Sequence, residues 1–199
     1  MPHTIHPVQR PQAVKFADVS LLRRTLRRHA AGVTIITVPG PAGFTATSFT
    51  SVSLEPALVS FCVATIASVT QAVQQAERFA VHLLGSHDSL LADRFARSGV
   101  DRFAGTACLQ EPDGLPILTV VPAWLSARVV ARYAAGDHVL VIGEVDNGGV
   151  RNEAPGLVRH DGAYARAVEL SPQPAQVQSR KSPEPVMADA PSDLEQRRA

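Results

Sequence analysis

Read from the N-terminus, the alternation of apolar and polar positions starts with a helical period and then changes to that of strands. Phe16, Val19, Leu22, Leu26 and the His29/Ala30 pair recur at steps of three and four residues, which predicts an amphipathic helix that Gly32 ends. Arg23, Arg24, Arg27 and Arg28 fall off that apolar stripe and read as solvated helix surface. Val33 to Val38 is β-branched and continuous, the mark of a buried strand. The Pro/Gly punctuation from Pro39 to Gly43 predicts a tight turn, and a second strand over Gly43 to Leu54 completes a hairpin. Pro56 breaks the chain, and Ala57 to Thr65 predicts a third strand too apolar to have a wet face.

Ser68 is placed to cap a short helix running to about Glu77, and Phe79 to Leu84 returns as a strand. Ser86 or Asp88 can cap the next helix, in which Leu91 and Phe95 share a face until Gly99 stops it. Between Gly99 and Pro116 the text is loop-like. Strands are then predicted at Ile117 to Val121, Ala123 to Arg132 and His138 to Val145, the last two joined by a hairpin connection from Ala134 to Asp137. Leu157 to His160 and Tyr164 to Val168 close the ordered part. Strands in succession with a few inserted helices, and no internal repeat, predict a mainly β protein. The architecture is a closed or partly closed antiparallel barrel with peripheral helices, not a βαβ sheet. Residues 1–14 read as a flexible lead-in, 15–170 as one domain, and 171–199, which lack any aromatic residue and are rich in proline, as a disordered tail.

Composition narrows the partners. At 199 residues with 45% hydrophobic content the chain can bury one substantial core. A net charge of +1 recruits neither nucleic acid nor an anionic membrane, so a small ligand is the expected partner. Met1 to Gln12 contains no apolar signal core, and no run reaches the ~18 apolar residues of a membrane span, which predicts a soluble cytoplasmic protein. Cys62 and Cys108 fit no disulfide framework and read as buried thiols.

The candidate chemistry is concentrated in the segment from Thr45 to Ser53, whose polar side chains are nearly all hydroxyls; the first charge comes only at Glu55. Such a segment can hold an anionic ligand through neutral donors, as a nest does. It can equally be an edge strand with a Thr/Ser-rich solvent face, and the local pattern alone favours that. Dinucleotide-fold, P-loop, zinc and serine-hydrolase signatures are all missing. His82 lies within an apolar strand, as a core histidine does, whereas His138 follows Gly136-Asp137 at a hairpin tip, where a functional side chain is better placed. The residues by themselves lead to a soluble β-barrel that binds an anionic small molecule.

Taken in register, Gly32 to Thr37, Gly43 to Pro56, Arg78 to Leu84, Arg94-Phe95-Ala96, Arg102-Phe103-Ala104-Gly105, Gly136-Asp137-His138 and Ile142 to Val145 resemble the short-chain flavin reductase family. The resemblance runs from about Phe16 to Val168. It implies an FMN-binding split β-barrel, a Greek-key-like antiparallel barrel that reduces FMN or FAD with NADH or NADPH. It also implies a homodimer that passes diffusible reduced flavin to a partner monooxygenase. By position, the family's flavin contacts fall on Gly43, Phe44, Thr45, Thr47, Ser48 and Ser51, on Cys62, Val63 and Ala64, on Ser68, and on Arg94 with Phe95. Asp137, His138 and the segment around Pro155 would face the nicotinamide, with His138 assisting catalysis by positioning. The chain departs from the family at Thr65 to Val69, where a basic or amide residue usually precedes a Ser/Thr cluster, and at His82, where Asn is typical. Two other functions compete: a flavin-binding barrel without reductase turnover, and a scaffold that recruits partners through its Pro-rich tail.

Overall fold

The computed structural model of the chain describes residues 5–7 and 18–170. The predicted lead-in and tail lie outside the described residues, apart from strand β1 (Ile5–Pro7). Helix α1 (Val19–Leu26) is followed by the short β2 (Ala31–Gly32), then β3 (Thr34–Val38) and β4 (Ala42–Ala46). Strands β5 (Thr50–Leu54) and β6 (Ala57–Ala64), helix α2 (Thr70–Gln75), β7 (Arg78–Leu83) and α3 (Ser89–Ala96) come next. The short β8 (Cys108–Gln110) and β9 (Pro116–Leu118) precede two long strands, β10 (Ala123–Ala135) and β11 (His138–Val150), and the chain closes on β12 (Leu157–His160) and β13 (Ala163–Arg166).

The main sheet runs in the order β4-β3-β7-β10-β11-β6-β5, with β1 added in parallel to β10. Its two flanks meet across the interior. The ring of Phe44 on β4 lies 5.9 Å from that of Phe61 on β6, and Phe61 meets Phe79 of β7 edge-on at 4.9 Å. These strands are far apart in sheet order, so contact between them requires the sheet to curl around a core that also holds Ile36, Val38, Val63, Val81, Val129 and Val141. Gly143 on β11 lets this happen, since a Cβ there would sit 2.4 Å from the Phe79 ring. The opposite face of β3 is covered as well: Ile35 packs with Phe95 and Ala92 of α3, Leu118, Val121 and Leu157. With both faces covered, every residue of β3 is buried, as its unbroken β-branched run predicts.

His82 ties the two layers together. Its Nδ1 lies 3.1 Å from the Ile35 carbonyl and its Nε2 accepts the Leu118 amide at 3.0 Å, with the residue wholly buried. An amide can only donate, so Nε2 is unprotonated, Nδ1 carries the hydrogen, and the ring is neutral. Burial pushes its pKa down to about 4, helped by the nearby Arg151 charge and opposed by the bond to Ile35. Arg78 closes the other end of the curl. It bonds Glu111 at 2.6 Å, Asp113 at 2.8 Å and Asp146 at 3.1 Å, thereby linking β7 to the β8–β9 connection and to β11.

Several expectations change. The N-terminal helix covers only Val19–Leu26, capped by Asp18, and none of its residues is buried; Gly32 belongs to β2 instead of ending the helix. The predicted strand over Gly43 to Leu54 is two strands separated by Thr47, Ser48 and Phe49. Ser68 does not cap α2, whose N-cap position is Val69 with no side-chain bond. The loop before Pro116 contains β8, which pairs with β9. Cys108 is exposed and Cys62 only half-buried.

Candidate functional site

The break between β4 and β5 forms the site. At the end of β4 the ladder stops, and Ser48 reaches across to β6, where its Oγ accepts the Cys62 amide at 3.0 Å and donates to the Cys62 carbonyl at 3.3 Å. One side chain thus stands in for a strand pairing and leaves a gap between β4 and β6. A cavity of about 380 Å³ occupies that gap, within the usual range for small-molecule pockets. Phe44, Val63, Val69 and Phe95 make it apolar on several sides, while Thr47, Ser48, Ser68, Ser98 and Arg102 bring hydroxyls and one guanidinium to it.

Of the residues expected to bind flavin, Phe44, Thr45, Thr47, Ser48, Cys62, Val63, Ala64, Ser68 and Phe95 all line this cavity, and so does His138. Thr45 and Ser48 are not idle hydroxyls, however: Thr45 Oγ1 donates to the Ala92 carbonyl at 2.6 Å and so holds β4 to α3. Desolvation raises the pKa of Cys62, which keeps it a neutral thiol in the wall. His138 begins β11 with its Nδ1 2.7 Å from the Asp137 carboxylate. That bond holds the Asp137 carboxyl below its ordinary range.

The other expected residues lie elsewhere. Gly43 is behind the wall, where a Cβ would come 3.0 Å from Phe95 and 2.9 Å from the Ile36 carbonyl, so its role is to admit α3 against β4. Arg94 turns away from the cavity to donate to the Ala104 carbonyl and to Thr106. Ser51 sits on exposed β5, Asp137 is exposed beside His138, and the Pro155 carbonyl accepts the Ser86 amide at 2.7 Å, away from the cavity.

The residue that the sequence reading passed over is Arg102. Its Nε donates to the Arg97 carbonyl at 2.8 Å, Nη1 to the Gly43 carbonyl at 2.9 Å and Nη2 to Ser68 Oγ at 3.3 Å. Those bonds use three of its five N–H groups, which leaves two for a ligand. It stands in the motif Arg102-Phe103-Ala104-Gly105, which the sequence places in a loop-like stretch and among the segments that carry the resemblance, with no ligand role given to Arg102. Together these groups give the cavity apolar walls with neutral and charged donors among them, a chemistry that suits a fused aromatic ring carrying a phosphorylated polyol.

Fold and cavity define a mainly β, antiparallel binding protein whose ligand chamber opens where its sheet splits. Residues 26–167 match the flavin reductase like domain, and the chain belongs to that family. It is 46% identical over 156 residues to the NADH:FMN oxidoreductase of Rhodococcus qingshengii, covering 74% of this chain and 81% of the relative. Among solved structures it is similar to a flavin reductase domain protein from Arthrobacter sp. FB24 (TM-score 0.73, 38% identity, 76% of this chain and 97% of that one). It is similar also to the NADH:FAD oxidoreductase of Streptomyces globisporus solved with NAD and FAD fragments (TM-score 0.72, 32% identity, 78% and 98%).

Proposed function

We infer that the protein is an NAD(P)H-dependent flavin reductase that supplies reduced flavin to a partner monooxygenase. The observation that carries this reading is the split-sheet cavity, where apolar walls and hydroxyl and guanidinium donors meet beside His138. The flavin, when bound, accepts a hydride from the nicotinamide, so the chain's task is to bind and orient two cofactors. Phe44 and Val63 would pack on the ring, Thr47, Ser48 and Ser68 would bond the ribityl chain, and Arg102 would meet the phosphate with charge-assisted bonds. His138, held by Asp137, would position the reacting edges by hydrogen bonding and carry no proton in the slow step.

The reading includes a homodimer acting in the cytoplasm. Among the described residues no helix is long and apolar enough to cross a membrane. Strand β5 supports the dimer: it ends the sheet order and leaves Val52 and Leu54 exposed at 50% and 88%, an apolar edge that a second copy would cover. The functional test is NADH oxidation by the purified chain with and without FMN. Oxidation that depends on FMN is expected. Tight FMN binding without oxidation would instead favour a flavin carrier.

A further inference from the structure

Arg132, on β10, is a buried charge outside the split-sheet cavity: it is only 7% exposed and is not among the residues that line the cavity. Burial draws its pKa below the ordinary arginine value, yet the group stays charged at neutral pH. Its Nε is enclosed with no hydrogen-bond partner among the described residues. An enclosed cation with an unmet N–H costs stability, and an apolar side chain of similar size would cost less, so stability alone gives no account of it.

What Arg132 does hold is the end of α2. Its Nη2 donates to the Val73 carbonyl at 3.2 Å and to the Ala76 carbonyl. A helix end leaves such carbonyls unpaired, and the last turn of α2 has no basic residue of its own, so β10 supplies both the donor and the positive charge. The opposite end of α2 is tied to β6, where Thr70 Oγ1 donates to the Ala64 carbonyl at 2.6 Å. Immediately before the helix, Ala67, Ser68 and Val69 line the cavity, and Ser68 Oγ accepts Arg102 Nη2 at 3.3 Å. That bond is already long, and an outward shift of about 0.3 Å would end it.

We propose that Arg132 is a positioning residue for flavin binding: by gripping the C-terminal end of α2 it sets where Ser68 stands in the cavity wall, and through Ser68 it aims the Arg102 guanidinium. The inference rests on the flavin reductase reading of the cavity. Val69 and Val73 pack in the core whether or not Arg132 is present, so losing Arg132 displaces α2 without releasing it.

The test uses the full chain, fluorescence titration with FMN and thermal melting, on Arg132→Met, Arg132→Lys, Ser68→Ala and the double variant Arg132→Met/Ser68→Ala. Arg132→Met should weaken FMN binding about tenfold, and Arg132→Lys, which keeps a charged donor, should recover most of that loss. In the Ser68→Ala background the Met substitution should cost less than about threefold more, because the route to Arg102 is already cut. A purely structural role would lower the melting temperature alike in both backgrounds and leave FMN affinity within about twofold. That result, a full tenfold loss persisting without Ser68, or a Lys variant no better than Met would each overturn the proposal. Should Arg132→Met fail to fold, Arg132→Gln, which keeps a neutral donor for the carbonyls, replaces it in the same cycle with about a threefold loss expected, and an affinity equal to that of the natural protein would overturn the proposal. A natural protein that took up no FMN would overturn the flavin reading and this inference with it, whereas FMN uptake indifferent to Arg132 would overturn this inference alone.

Discussion

Among the described residues Arg102 is the one guanidinium that lines the split-sheet cavity, and it is anchored by Arg97, Gly43 and Ser68. A hydrogen bond from a charged donor is worth ~1.5–3 kcal/mol, so Arg102→Ala should weaken FMN binding about ten- to a hundredfold by fluorescence titration. An unchanged affinity would move the phosphate elsewhere. His138→Ala should lower kcat/KM for the pyridine nucleotide by a similar factor while FMN affinity changes less, as one lost positioning contact does. His82 carries a prediction of a different kind. Its folded pKa of about 4 lies below the ordinary 6.5, so the unfolded chain takes up the proton first as pH falls. Its contribution is complete above pH 6.5, declines between 6.5 and about 4, and then levels; at ~1.4 kcal/mol per pH unit, that gap is about 3 kcal/mol. Urea unfolding at pH 7 and pH 5 should therefore show a larger acid loss for the natural protein than for His82→Gln, and equal losses would contradict the neutral, buried state of the ring. The core role of His82 was legible because an apolar strand surrounds it. Arg102 was not, because its position depends on a loop folding back onto β4 and Ser68, and such long-range contacts leave no local pattern.

At the scale of elements, alternation located the strands of the core but not the short β1, β2 and β8, since only burial on one or both faces writes itself into the residue types. It missed the break at Thr47 to Phe49, where the hydroxyl run continues although the ladder does not. The reason is physical: Ser48 bonds β6 with its side chain where an ordinary strand would use its backbone, and a Ser that does so looks the same in sequence as one facing water. Ser48→Ala should leave the Cys62 amide without its partner, speed its hydrogen exchange markedly and lower FMN affinity about tenfold, the loss expected for one or two neutral bonds of ~1 kcal/mol each. Slow exchange at Cys62 in the variant would show that the gap is held by other contacts. The short helix α1 was legible as an amphipathic period, yet the period does not say what its apolar side meets, and within the chain none of it is buried.

For the whole molecule, a curled sheet leaves an apolar edge strand at β5, which the homodimer reading covers. Leu54→Asp combined with Val52→Asp should shift the protein toward monomer in analytical ultracentrifugation, whereas a dimer of unchanged strength would place the interface away from β5. The central claim, that the split in the sheet is where flavin is held and reduced, is tested most directly by mixing FMN-loaded protein with NADH in the absence of oxygen. The absorbance of the bound oxidised flavin should disappear in a single rapid phase, slowed about ten- to a hundredfold by His138→Ala. Bound FMN whose absorbance stayed unchanged on addition of NADH or NADPH would contradict the account.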